Sequence, residues 1–214
     1  MVKKKNIGTL IVVSGPSGAR KGTICSELLN SDESLKLSIS MTTRAPRGKE
    51  VDGVDYYFVS KEEFENKIAK GDFLEYAEVH GNYYGTPKDM VEKSLKAGED
   101  IILEIDIQGA LKVKETMPEG IFIFIMPPSM RELRDRLVKR NTETKEKIIE
   151  RFRNAYKEIN EVTKYNYIVI NDEIDVAVEK VKSIILAEKC RVDRIEDFEL
   201  HNQEELLHEL LIEE

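Results

Sequence analysis

The chain has 214 residues, 41% of them hydrophobic, which is enough to bury the core of one sizeable α/β domain. Its formal net charge of −8 argues against general nucleic-acid binding, which needs a basic surface. Two cysteines, Cys25 and Cys190, give no disulfide framework, and no apolar run is long enough for a transmembrane helix, so we expect a cytoplasmic protein.

The first predicted strand covers residues 9–13, a short β-branched run that ends in a Ser-Gly-Pro turn. A helix is predicted to begin near Gly22, and the connecting turn reads GPSGARKGT. A strand, a turn of small residues and a helix are the context of a phosphate-binding loop, in which backbone N–H groups and the helix N-terminus hold phosphate oxygens. The residues expected to bind ATP phosphates are Gly15, Pro16, Ser17, Gly18, Ala19, Arg20, Lys21, Gly22 and Thr23.

Within this turn, Lys21 is placed for the β- and γ-phosphates and Thr23 for Mg²⁺. The usual pattern has a glycine where Arg20 stands, and Gly22 moves the hydroxyl group on to Thr23. Taken alone, the turn is also compatible with an ordinary strand–turn–helix that carries a lysine by chance. The motif by itself therefore leaves both interpretations open.

Residues 38–90 have a different composition, with polar turns between short aromatic runs. A helix is predicted between the capping box at Ser60–Glu63 and the glycine at position 71. We therefore predict a small mixed β lobe, inserted after the first strand–helix unit. Its short strands are expected at 56–58, 73–76 and 83–84.

Two arginines of this lobe, Arg44 and Arg47, lie three residues apart on a polar turn. The fork of a guanidinium group suits a phosphate monoester, which it binds through two parallel hydrogen bonds. The sequence GNYYGT at 81–86 adds hydroxyl donors, and Glu75 falls near a strand end. Taken singly, the tyrosines are equally compatible with simple packing of the lobe, and Glu75 with a surface position.

Three further apolar runs are predicted to be buried strands, at 101–105, 121–126 and 167–170, with helical segments between them. Asp172 is predicted to cap a long final helix near residues 173–190. Because strands alternate with helices, the chain is predicted to form a parallel sheet with right-handed crossovers.

Charge is unevenly distributed towards the end of the chain. Residues 130–160 contain ten Lys or Arg against six Asp or Glu and follow a capping box that begins at Ser129. On charge alone, a solvated helix face is favoured over an anion site. Residues 191–214 contain nine acids and two bases, and their leucines recur at helical spacing from Leu206. The tail is predicted to form a short amphipathic helix, with a frayed acidic terminus as the alternative.

Together the motifs resemble the guanylate kinase family: the phosphate loop, SMTTRAPR at 40–47, GNYYGT at 81–86, DIQG at 106–109 and MPPS at 126–129. The resemblance covers roughly residues 7–190. It implies a P-loop α/β core with a mixed β lobe for a nucleoside monophosphate and a helical lid. The implied segments are the core (1–37, 91–129 and 161–190), the GMP-binding lobe (38–90), the lid (130–160) and an acidic C-terminal extension (191–214).

The resemblance also implies the residues that bind GMP. Glu75 and Asp106 would accept hydrogen bonds from the guanine N1–H and 2-amino groups, which adenine does not present as a donor pair. Glu104 stands where the family commonly has an aspartate and is counted with this site. The phosphate would be held by Arg44, Arg47, Tyr56 and Tyr84, and the O6 and N7 edge of guanine by Ser40 and Thr86.

For catalysis, the resemblance implies that arginines from the lid steady the transferring phosphoryl group. The implied catalytic residues are Lys21, Arg44, Arg136, Arg140 and Arg151, with Asn171 near the adenine ring of ATP. The expected reaction is reversible phosphoryl transfer from ATP, with Mg²⁺, to GMP. The expected partners are these two nucleotides, without nucleic acid or membrane, and the expected state is a monomer or homodimer.

A rival interpretation is a guanylate-kinase-like binding module that has lost catalysis and docks phosphorylated or acidic peptides through the former GMP lobe. Arg20 favours this rival, because a side chain in the phosphate loop competes for space with ATP. Lys21, Thr23 and the lid arginines argue against it.

Overall fold

The computed structural model describes residues 2–4, 7–79, 81–139 and 145–198. The α-helices in this part are α1 (Lys21–Ser31), α2 (Lys61–Lys70), α3 (Lys88–Lys96), α4 (Ile107–Thr116), α5 (Met130–Lys139), α6 (Lys145–Ile159) and α7 (Ile174–Glu188). The strands are β1 (Val2–Lys4), β2 (Leu10–Ser14), β3 (Leu35–Leu37), β4 (Met41–Thr42), β5 (Tyr57–Phe58), β6 (Phe73–Val79), β7 (Asn82–Pro87), β8 (Asp100–Glu104), β9 (Ile121–Met126), β10 (Tyr167–Ile170) and β11 (Ile195–Phe198). Two short 3₁₀ segments lie at Asn160–Lys164 and Val192–Arg194.

The core is a five-stranded sheet in the order β10-β9-β2-β8-β3, and every neighbouring pair is parallel. This confirms the predicted parallel sheet and four predicted strands. The sequence interpretation missed β3, because it has only three residues and buries only Leu35. Val13 at the end of β2 is in register with Glu104 at the end of β8, so Glu104 emerges beside the phosphate loop.

Helices cover both faces of this sheet. Within β2, Ile11 and Val13 pack in a cluster with α1 and α7, while Leu10 and Val12 pack in the opposite cluster with α3 and α4. This alternation follows from the two-residue period of a strand, and it explains why the strand reads as a continuous apolar run.

The second sheet has the order β5-β4-β7-β6, with β4 and β5 parallel and the other pairs antiparallel. Phe64 of α2 is fully buried beneath it and stacks on Phe73 and Tyr83, at 4.3 Å and 5.3 Å between ring centroids. A side chain at Gly85 would place its Cβ 2.9 Å from the rings of Phe64 and Phe73, so this strand requires glycine there. The short aromatic strands predicted for this region are confirmed.

Three of the four helix caps predicted from the sequence are formed. The Ser60 hydroxyl accepts from the Glu63 N–H and Gly71 ends α2 in the left-handed conformation, while the Ser129 hydroxyl accepts from the Glu132 N–H. The predicted cap by Asp172 is wrong. The final helix begins at Ile174 after Glu173, which makes no side-chain cap bond, and Asp172 lies one residue too far from the free N–H groups.

The strands β1 and β11 pair antiparallel in a separate two-stranded ribbon, which the sequence interpretation did not predict. The amphipathic helix predicted after residue 198 lies outside the described residues, as does Arg140. No helix in the described part of the chain is long and apolar enough to cross a membrane.

Candidate active site

The phosphate loop connects β2 to α1 at the carboxyl edge of the parallel sheet, where ligands bind in open α/β folds. Gly15 and Gly18 have positive φ angles of 146° and 92°. A Cβ at Gly15 would lie 2.2 Å from the Ile125 carbonyl oxygen, and a Cβ at Gly18 2.8 Å from the Leu133 side chain. Both glycines are therefore required by the conformation of the loop and by its close packing.

Arg20 holds the last position before α1, with φ 65° and ψ 37° in the left-handed region. Among the described residues it is the only one other than glycine with a positive φ. Its side chain is exposed to solvent. A residue with a Cβ in this conformation costs about 1 kcal/mol, which explains why the usual loop pattern has glycine here.

Lys21 curls over the loop, and its Nζ donates to the carbonyl oxygens of Gly15 (2.6 Å) and Pro16 (3.4 Å). Burial lowers the pKa of its ammonium group, and Glu104, Glu158 and Asp106 act in the opposite direction. The lysine is thus held at the loop while facing three carboxylates. Thr23, the proposed Mg²⁺ ligand, is exposed in the first turn of α1.

The lid helices α5 and α6 pack on each other and reach the phosphate loop through Arg151, whose guanidinium donates to the Ser17 hydroxyl. Arg136 is almost fully buried and donates to Glu132 Oε1 (2.9 Å) and to the backbone oxygen of Asn171 (3.1 Å). Sequence spacing alone could not distinguish these two arginines, but the structure places only Arg151 directly on the loop.

Asn171 is completely buried behind the phosphate loop, where its Nδ2 donates to the Ala19 carbonyl oxygen at 2.7 Å. Its Oδ1 and the Nη1 of Arg136 have no hydrogen-bond partner in the described part of the chain. Buried polar atoms without a partner are rare, so this pair marks a place where a ligand would find a donor and an acceptor.

Arg44 lies at the centre of a group of polar and aromatic side chains at one end of the lobe. It is 8% exposed, forms two parallel hydrogen bonds to Glu50 (2.8 and 2.9 Å), donates to the Tyr84 hydroxyl (3.2 Å) and lies 5.3 Å from the Tyr56 ring centroid. The bonded Glu50 carboxylate raises the pKa of Arg44, and Arg44 lowers the pKa of Glu50. Arg47 is exposed, and its backbone N–H also donates to Glu50.

Sequence reasoning missed Glu50. Glu50 and Arg44 both lie in an irregular turn outside any helix or strand, so no helical or strand period relates the two residues. The sequence signal for Glu50 is its position as an acidic residue at the end of a polar turn that contains two arginines.

Glu75 is the buried acid of the lobe, with 7% of its surface exposed, and it accepts a 2.7 Å hydrogen bond from the fully buried Thr86 hydroxyl. Burial, with a smaller contribution from nearby Asp106, raises the pKa of Glu75 to about 7, although the Thr86 hydrogen bond and Lys112 act in the opposite direction. Thr86 therefore lies behind the carboxylate and orients it.

Asp106 caps α4 by accepting from the Gly109 N–H at 2.7 Å. A Cβ at Gly109 would lie 2.7 Å from Glu75 Oε2, so glycine is needed for Glu75 to stand next to Asp106. The DIQG motif thus has a local explanation: its aspartate starts the helix and its glycine makes room for the second acid.

These groups meet in one cleft of about 240 Å³ between the lobe and the core sheet. Its walls bring together Lys21 of the loop and six of the predicted monophosphate-site residues: Ser40, Tyr56, Glu75, Tyr84, Glu104 and Asp106. Glu104 also borders Gly22, where a Cβ would lie 3.4 Å from its carboxylate, and burial raises the pKa of Glu104. The cleft can therefore present a cation at one wall and two acceptors at the other.

A phosphate-binding loop on a parallel sheet, facing an arginine-bearing lobe and helices with further arginines, defines a P-loop protein built to bind phosphorylated ligands. The guanylate kinase family model matches residues 7–188. The chain belongs to the guanylate kinase family.

Its curated relatives include the guanylate kinase of Clostridium tetani, 62% identical over 95% of this chain and 98% of the relative. The guanylate kinase of Caldanaerobacter subterraneus subsp. tengcongensis is 62% identical over 94% of this chain and 98% of its own length. Among solved structures, the guanylate kinase from Anaplasma phagocytophilum superimposes with a TM-score of 0.75 at 36% identity, and the match covers 96% of each chain.

Proposed function

We propose that this chain is an ATP:GMP phosphotransferase, which reversibly moves the terminal phosphoryl group of ATP to GMP and gives ADP and GDP. The observation that carries the proposal is the cleft in which Glu75 and Asp106 stand side by side, opposite Lys21 of the phosphate loop. Identity of about 60% to named guanylate kinases over nearly the whole chain supports it.

In the proposed GMP site, Glu75 and Asp106 accept from the guanine N1–H and 2-amino groups. Adenine has an unprotonated N1 and lacks the 2-amino group, so it would leave two carboxylates without donors, a mismatch that discriminates by roughly 10⁴-fold. Ser40 serves the O6 and N7 edge. Thr86, which the sequence placed at the same edge, donates its only hydroxyl proton to Glu75 and so orients that acceptor instead. Arg44, Arg47, Tyr56 and Tyr84 hold the phosphate, and Glu104 completes the wall next to the loop.

In the proposed ATP site, residues 15–23 hold the phosphates and Lys21 leaves its carbonyl partners to bond the β- and γ-phosphate oxygens. Asn171 lies on the adenine side. The unpaired Oδ1 of Asn171 and Nη1 of Arg136 support this placement, since the adenine ring carries both an amino donor and nitrogen acceptors.

The residues present fit Mg²⁺, which prefers oxygen ligands and takes most of them from phosphates and water. Thr23 would hold the ion, and Glu104 and Asp106, which line the cleft, would add carboxylate oxygens. The described residues contain no cluster of three or more acids, histidines or cysteines able to bind a metal alone. When bound with ATP, the ion supplies positive charge between the phosphates.

Catalysis follows from positioning and electrostatics. The acceptor is an already ionised phosphate oxygen of GMP, so no general base is required. Arg44 fixes this acceptor, while Lys21, Arg136, Arg140 and Arg151 offset charge on the transferring group. Closure of the lobe and lid over the cleft excludes water, which would otherwise compete as acceptor. In the cell this reaction recycles GMP in purine metabolism, and we place the protein in the cytoplasm, as a monomer or homodimer.

The rival function is the binding module for phosphorylated or acidic peptides, and the strained Arg20 in the phosphate loop favours it. A coupled assay for ADP production with GMP, AMP, UMP and dTMP distinguishes the two. We expect turnover with GMP alone. Turnover with none of the four would support the module, and turnover with another nucleotide would refute the assignment of the base site.

A further inference from the structure

Helix α4 carries one of the two proposed guanine acceptors and packs against the strand that carries the other. Asp106 caps this helix, while Glu75 belongs to β6, which lies against the same helix. Because β6 is an edge strand of the lobe sheet, its neighbour β7 supports it along one edge only. The placing of the two acceptors relative to each other therefore depends on how α4 holds β6.

The contact between α4 and β6 uses residues spaced three apart along the helix, which lie on one broad face of it. Gly109, three residues after Asp106, leaves the space that Glu75 occupies, since a Cβ there would lie 2.7 Å from Glu75 Oε2. Lys112, three residues further on, holds the next peptide of the strand. Its Nζ donates to the Tyr76 backbone oxygen at 2.6 Å and lies 5.1 Å from the centroid of the Tyr76 ring.

Lys112 also favours the charged form of the acceptor that it helps to place. Burial raises the pKa of Glu75, and the ammonium group of Lys112 acts in the opposite direction. The ionised carboxylate is the better acceptor, because a protonated carboxyl group uses one of its oxygens as a donor. Lys112 itself is exposed and does not line the cleft, so it can act on a bound base only through Glu75 and its strand.

We propose that Lys112 is a positioning residue for guanine recognition: it fastens β6 to α4 and so holds Glu75 beside Asp106. The inference rests on the proposed GMP site and adds to it a residue outside the cleft. If Lys112 acts in this way, its loss should weaken the recognition of the guanine donor groups more than it weakens the fold.

The same helix offers a matched control in Lys114. Its Nζ donates to the Lys164 backbone oxygen at 2.5 Å and lies 5.2 Å from the centroid of the Phe122 ring. Lys114 thus makes the same two kinds of contact as Lys112, but with the core instead of the lobe.

The test compares kcat/KM for GMP and for IMP in the full chain at saturating ATP. IMP keeps the N1–H and O6 groups of the base but lacks the 2-amino group, so the ratio of the two values reports how well both acceptors are placed. Lys112→Met should lower kcat/KM for GMP about fivefold, mainly through KM, and should lower the ratio of GMP to IMP about threefold. Lys112→Arg should restore both values, because a guanidinium group can donate to the same carbonyl oxygen and lie over the same ring.

Lys114→Met should leave the ratio of GMP to IMP unchanged. An unchanged ratio in Lys112→Met, with a normal thermal unfolding curve, would overturn the proposal, as would an equal fall of the ratio in Lys114→Met. If Lys112→Met does not fold, Lys112→Gln decides the question by the same criterion. Absence of GMP turnover in the unaltered protein would refute the proposed function itself and not only the role of Lys112.

Discussion

The two sides of the cleft hold their cationic side chains in different ways. In the lobe, Arg44 is buried and fixed by Glu50, Tyr84 and the Tyr56 ring, so its guanidinium is oriented by permanent protein contacts. In the loop, Lys21 is bonded to carbonyl oxygens of its own turn, which ATP phosphates would have to replace. The lobe is thus preorganised, while the loop must exchange partners on binding.

Arg20 adds to this difference. In the lobe, Gly85 stands where a close contact demands glycine. The loop has glycine at Gly15 and Gly18 for the same reason, but an arginine at its left-handed position 20. We infer that GMP affinity depends mainly on the presence of individual fixed groups. ATP affinity depends in addition on the hydrogen bonds within the loop that must break when ATP binds.

The largest effect is expected from removing the two arginines of the lobe. Arg44→Ala and Arg47→Ala should each lower kcat/KM for GMP by on the order of 100-fold or more, because a charge-assisted contact and the orientation of the acceptor are lost together. Steady-state kinetics at saturating ATP provide the measurement. Arg153→Ala, which removes an exposed arginine of α6, is the control.

The same two variants sharpen the comparison through stability. Only Arg44→Ala should lower Tm, because it leaves Glu50 without its paired cation, whereas Arg47 is exposed. Near-normal kinetics for GMP in both variants would show that the arginines do not hold the phosphate.

The next largest effect is expected from removing the groups that accept hydrogen bonds from the guanine base. Glu75→Gln or Asp106→Asn should each raise the KM for GMP by on the order of 100-fold, because each removes an acceptor for guanine. The Kd for ATP should change little. Steady-state kinetics give the KM for GMP, and titration with a fluorescent ATP analogue gives the Kd for ATP. Equal loss of ATP affinity with unchanged GMP affinity would contradict the assignment of these acids.

Glu75 should also make the stability of the protein depend on pH. Its pKa is raised from an ordinary 4.5 to about 7, so the folded state favours the protonated form and loses stability as the pH rises through 7. Glu75→Gln should therefore be the more stable protein at pH 8, by on the order of 2 kcal/mol. Urea unfolding at pH 5 and pH 8 measures this; an equal loss of stability with pH in both proteins would exclude Glu75 as its source.

A smaller effect is expected at the loop. Arg20→Gly should raise kcat/KM for ATP about tenfold, because glycine adopts the left-handed conformation without strain and removes a side chain that crowds the nucleotide. Arg20→Ala removes the charge but keeps the Cβ, so it should not recover the conformational part of this gain. An unchanged or lower value for the glycine variant would mean that the loop has adapted to its arginine.

The smallest effect on chemistry is expected from the tail. Removing residues 191–214 should leave kcat within about twofold. It should nevertheless lower Tm, since Arg191 and Arg194 both pair with the buried Glu188. Truncation after residue 198 is the matched control and should spare these ion pairs. Loss of activity in a folded protein truncated at 190 would place the tail in the site.

Local patterns in the sequence were sufficient for the phosphate loop, the main strands and several helix ends. Thr9 to Val13 predicts a strand because a buried parallel strand is apolar on both faces, and Ser60 predicts a helix start because its hydroxyl satisfies a free N–H group. The sequence also showed that Arg20 replaces the glycine of the usual loop pattern. The left-handed backbone at position 20 explains why that pattern has glycine there. Each of these signals acts over a few neighbouring residues.

The tertiary structure decided which side chains meet. The bonding of Arg44 to Glu50 occurs in an irregular turn, and the space that Gly109 leaves for Glu75 joins residues of two different elements, so no helical or strand pattern predicts either contact. Such contacts are set by how the lobe, lid and core pack together. The sequence by itself therefore determined the class of protein and most of the residues of its cleft, while only packing decided which charges are paired, which are buried and which must change partners when a ligand binds.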